Sequence, residues 1–93
     1  MEETFIAAWA LARETAAGIG VRMRPVANAD AIKTAHRCLS GHKESDGFFL
    51  LADNHHLELS LEALAIDKRF TGLFSDEEAN TALNRLLDAG YPF

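Results

Sequence analysis

The sequence predicts a mainly α fold, a small single-domain bundle of about four helices, with a short β-hairpin over residues 48–61 as the alternative for its middle. Three observations predict it. Ala and Leu are the commonest residues while there are only two Val and four Ile, which favours helix formers over strand formers. Apolar residues recur at helical spacing near both ends of the chain. Cap residues and glycine stops fall between the periodic stretches. A chain of 93 residues holds one core and leaves no room for a second.

The first helix spans about residues 3–17. Phe5, Trp9, Ala12 and Ala16 stack on one face, with Glu3, Ala10 and Glu14 opposite. Thr4 or the chain start opens it, and Gly18 and Gly20 stop it. Residues 20–27, GVRMRPVA, lack a helical pattern and read as a connector or short edge strand, because Pro25 biases Arg24 towards extended geometry. Asn28 or Asp30 then caps a second helix, ended by Gly41, whose buried face is Ala31, Ile32, Ala35, Cys38 and Leu39.

Residues 47–70 form the longest nearly continuous apolar run. As strands, Leu57, Leu59 and Leu61 share one face and Glu58, Ser60 and Glu62 the other. As a helix over about residues 55–69, capped by Asp53 or Asn54, the run puts Glu58, Glu62 and Arg69 on a narrow stripe. Leu57, Leu61 and Leu64 line one flank, and Leu59, Ala63, Ile66 and Phe70 the other. Helix propensity favours the second reading. The last helix is marked by a capping box, Ser75-Asp76-Glu77-Glu78, and by the stop Ala89-Gly90-Tyr91-Pro92. Its inner stripe is Ala79, Ala82, Leu83, Leu86 and Leu87.

Charge is distributed unevenly. From Arg13 to Lys43 six bases face two acids, a local +4, and from Glu44 onward three bases face ten acids, a local −7. Glu2 and Glu3 complete the net charge of −5, which disfavours a dedicated nucleic-acid binder. The acidic start does not match a secretory signal, no apolar run reaches the ~18 residues of a membrane span, and a lone Cys38 suits a reducing compartment. The expected location is cytoplasmic. Size, acidity and lack of motifs suit bacterial or phage accessory proteins.

Chemistry is hard to find in this chain. Gly18-Ile19-Gly20 lacks the third glycine of a dinucleotide loop, and neither a Gly-x-Ser-x-Gly elbow nor a Cys-x-x-Cys pair is present. His36 and Cys38 point about 200° apart on a helix and cannot share a metal. The one candidate metal stripe is His55, Glu58 and Glu62, and a solvated helix face explains it better. A helix-turn-helix over residues 61–89 fails because its recognition helix would open with Asp76, Glu77 and Glu78 against the DNA backbone. No catalytic residue and no cofactor are expected.

These readings lead to a non-enzymatic protein-interaction or regulatory module that pairs as a homodimer. The expected interface is the apolar set Phe48, Phe49, Leu57, Leu59, Leu61, Leu64 and Ile66. The alternative is a nucleic-acid-associated regulator using the basic patch Arg22, Arg24, Lys33, Arg37 and Lys43.

Overall fold

Helix α1 covers Glu2–Gly18, α2 Ala31–Ser40, α3 Phe48–Asp53, α4 Leu61–Ala65 and α5 Asp76–Asp88 in the structure, a computed structural model that describes residues 1–92. Short 3-10 turns at Asn28–Asp30, Leu57–Leu59 and Lys68–Phe70 join them, and no strand forms among the described residues. The mainly helical fold is as the sequence predicts; its middle is not. Neither the hairpin over residues 48–61 nor one helix over residues 55–69 forms there.

Two short polar side chains break that middle. The Ser60 hydroxyl donates to the Leu57 carbonyl at 2.7 Å and accepts from the Ala63 amide at 3.1 Å, closing one turn and opening α4. Asp67 accepts from the Arg69 amide at 2.9 Å and opens the next turn. Such side chains offer the backbone a local alternative to a continuing helix. The alternation of Leu57, Leu59 and Leu61 therefore records a 3-10 turn running into a helix start. The caps expected at Asp53 or Asn54 lie instead at the end of α3, where the Asn54 side chain donates to the Leu50 carbonyl. Neither Asn28 nor Asp30 caps α2 through its side chain; a 3-10 turn leads into that helix.

The capping box forms as read. Ser75 Oγ accepts from the Glu78 amide at 3.1 Å, and Glu78 Oε1 accepts from the Ser75 amide at 2.9 Å. Gly90 takes the left-handed conformation, φ 80°, at the end of α5. The Tyr91 amide there reaches the Leu86 carbonyl at 2.9 Å, a Schellman closure. α1 closes the same way, from Val21 to Ala16, and α3 from His56 to Leu51. The carbonyl residues Ala16, Leu51 and Leu86 are all buried in one apolar cluster with Val21, Phe48 and Leu57. Three helix ends thus share a single core.

The larger cluster joins α1, α2, α4 and α5. Phe5 is its centre, with the rings of Phe70 and Phe74 each 5.2 Å away edge-on and Trp9 at 5.9 Å. Trp9 is buried, as its place on the α1 stripe predicts. Leu59 and Ile66 lean on both clusters and weld them together.

Candidate interaction surfaces

Most of the expected interface is inside the chain's own core. Phe48, Leu57, Leu61 and Leu64 are buried, and Leu59 and Ile66 are half-buried against both clusters. Breaking the central helix rotates both expected flanks inward, so neither is left facing water. Phe49 alone of that set is exposed, at 63%, and the next residue, Leu50, is 51% exposed. α3 begins with four large apolar residues, and its short length explains the split. Phe48 and Leu51 fill the second cluster, so Phe49 and Leu50 turn outward. The Phe49 ring stands edge-on to Phe48 at 5.5 Å, which holds it in place. A shallow hollow lined by residues 43–50 adjoins it.

The loop ahead of α3 is anchored from below by a buried ion pair. Glu62 is fully buried, and its Oε2 accepts from Arg85 Nη1 at 3.2 Å and from the Ser45 amide at 2.8 Å. The Ser45 hydroxyl donates to the other carboxylate oxygen. Arg85 Nη2 goes on to donate to the carbonyls of Cys38 at 3.2 Å and Gly41 at 3.1 Å. Arg85 thereby ties the end of α2, where the Cys38 carbonyl also accepts from the Gly41 amide, to the buried pair. Burial pushes the nearby Cys38 thiol up, so it stays protonated.

That arrangement dissolves the His55, Glu58 and Glu62 stripe. Glu62 faces the core, whereas His55 and Glu58 are exposed and Glu58 bonds His56 Nδ1 at 2.9 Å. Arg69, placed by the sequence beside Glu58 and Glu62, pairs instead with Asp67 at 3.2 Å. Among the described residues no three His, Cys, Asp or Glu side chains gather where they could hold a metal ion. His36, on the edge of the α2 face, meets Glu78 Oε2 at 2.6 Å and lies against Phe74. Burial pushes the Glu78 carboxyl up, but the Ser75 amide and His36 outweigh it and hold the group below its ordinary value.

The basic residues Arg22, Arg24, Lys33, Arg37 and Lys43 are all exposed. None of them forms an ion pair among the described residues. The sequence reading passed over two other arginines. Arg85 is the one base on α5, but nothing in the sequence pairs it with Glu62, 23 positions away. Arg13 stands one turn after Trp9, a spacing that places a cation over the indole. No described helix is long and apolar enough to cross a membrane. Comparison with protein-family models, curated proteins and solved structures finds no match to this chain.

Proposed function

We propose that this protein is a non-enzymatic, cytoplasmic interaction module that pairs with a second copy of itself through α3. The observation that carries the reading is the outward pair Phe49–Leu50, large apolar side chains exposed at 63% and 51% between the buried Phe48 and Leu51. Exposed apolar patches mark contact sites, and a two-fold pairing of identical patches is the commonest closed solution. The charge layout favours a second copy over an unrelated partner, since the +4 of residues 13–43 complements the −7 of residues 44–93.

Light scattering on a sizing column tests it. Wild type is expected at twice the 10.2 kDa chain mass at micromolar concentration. Phe49→Asp is expected at the chain mass with its helical circular dichroism intact. A wild-type monomer at high concentration overturns the proposal.

A second reading, association with nucleic acid, rests on the five exposed bases without ion pairs. Its signature is affinity for DNA or RNA that falls steeply with salt. Lys33→Glu combined with Arg37→Glu would abolish such binding, whereas Phe49→Asp would leave it intact while abolishing pairing through α3.

A further inference from the structure

A cleft of about 320 Å³ is lined by Trp9 and Arg13 of α1, Thr34 and Cys38 of α2 and the extended arm at residues 23–27. Trp9, Met23, Pro25, Val26 and Leu61 give it apolar sides. Arg13 gives it a charge. The Arg13 guanidinium carbon sits 4.9 Å from the centre of the Trp9 ring. Stacking of this kind covers the face of a guanidinium and leaves its hydrogen-bonding edge for an acceptor. Among the described residues no acceptor takes that role. Arg13 Nη1 is buried and has no hydrogen-bond partner, and no carboxylate among the described residues pairs with Arg13. A buried donor without an acceptor is destabilising, and a charged one more so. Partial burial also lowers the Arg13 pKa, in keeping with a cation lacking a counter-charge.

We propose that this cleft binds a small organic monocarboxylate, its carboxylate on the Arg13 edge and its apolar body between Trp9 and the residue 23–27 arm. The volume matches the lower end of small-molecule sites, which are concave, mostly apolar and fixed by few polar groups. A planar carboxylate meets a guanidinium edge with two parallel hydrogen bonds. The other charges at the rim argue for one negative charge rather than two. Arg24, Asp30 and Asp46 also line the cleft, so with Arg13 two bases and two acids balance there; the Asp46 carboxylate accepts from the Arg24 backbone amide at 2.6 Å. A monocarboxylate adds one negative charge to that balanced lining, whereas a phosphate dianion adds two and faces both carboxylates.

Trp9 is the only tryptophan, so its emission reports the cleft directly. Titration of the full-length protein with cyclohexanecarboxylate is expected to shift that emission saturably. The neutral isostere cyclohexanemethanol is expected to bind at least about tenfold more weakly, and inorganic phosphate not to bind. Arg13→Gln is expected to weaken the acid by about tenfold or more while leaving the alcohol unchanged. No saturable shift, equal affinity for acid and alcohol, or competition by phosphate at equal concentration overturns the proposal. Should Arg13→Gln not fold, the acid–alcohol comparison on wild type decides alone. A dimerisation failure has no bearing on this result, because α3 does not line the cleft.

Discussion

His55 is the one non-glycine residue with positive φ among those described, at 61°. It occupies the position after the α3 cap where a left-handed residue lets the His56 amide reach the Leu51 carbonyl. A side chain with a Cβ is strained there, and the exposed His55 ring makes no hydrogen bond that would offset the strain. His55→Gly is therefore expected to stabilise the protein by ~0.5–1 kcal/mol in denaturant melts, the gain being reduced by the extra freedom of unfolded glycine. Glu78 makes the opposite kind of contribution. Its folded carboxyl sits below the ordinary value of 4.5, so the unfolded chain binds the proton more tightly. The stability it supplies is present above about pH 4.5 and is lost as pH falls through the folded value. Glu78→Gln should lower stability at neutral pH and flatten the acid limb of a melting-temperature profile between pH 5 and 3, roughly the range carboxylates titrate.

At the scale of elements, the ends of the chain were legible and the middle was not. The capping box, the Gly90 stop and the Phe5–Trp9–Ala12–Ala16 stripe are local codes, each complete within a few residues, and each forms as read. The central run misled because its apolar residues fit a helix and a strand equally. The two breaks come at Ser60 and Asp67, cap-type residues that stand inside a largely apolar run and are hidden by its pattern. Periodicity puts Glu62 on a wet face, and that placement is wrong. A glutamate at that spacing reads as solvated, and only Arg85 and Ser45, remote in sequence, make it a core residue. Loss of either charge leaves the other buried and unpaired. Glu62→Leu and Arg85→Leu are each expected to cost ~3–5 kcal/mol, whereas the double variant should cost much less than their sum. Strict additivity in a double-mutant cycle would mean that the pair does not act as a unit. Glu62→Leu should also free the loop through Ser45, visible as faster amide exchange at residues 41–47.

Across the whole molecule, two apolar clusters share Leu59 and Ile66, and among the described residues Phe49–Leu50 is the one pair of adjacent large apolar side chains turned outward. The sequence pointed to a sticky central segment; the structure puts all but its start inside. Substitutions along that segment should accordingly separate into two behaviours. Phe49→Asp puts a charge where the ring already meets water, so the monomer should keep its melting temperature at low concentration and lose only pairing. Leu59→Asp puts the same charge between two clusters, where an unpaired carboxylate is strongly unfavourable. It should lower the denaturation midpoint sharply at any concentration, by far more than a typical surface change of about 0.5 kcal/mol. Salt adds an independent check. If the +4 and −7 halves face each other across the pair, raising ionic strength from roughly 0.05 to 0.5 M should weaken wild-type pairing modestly, because the screening length shortens below the spacing of exposed charges. Concentration-dependent melts of the two variants then decide what α3 is for. Equal loss of stability in Phe49→Asp and Leu59→Asp would place Phe49 in the fold rather than in a contact.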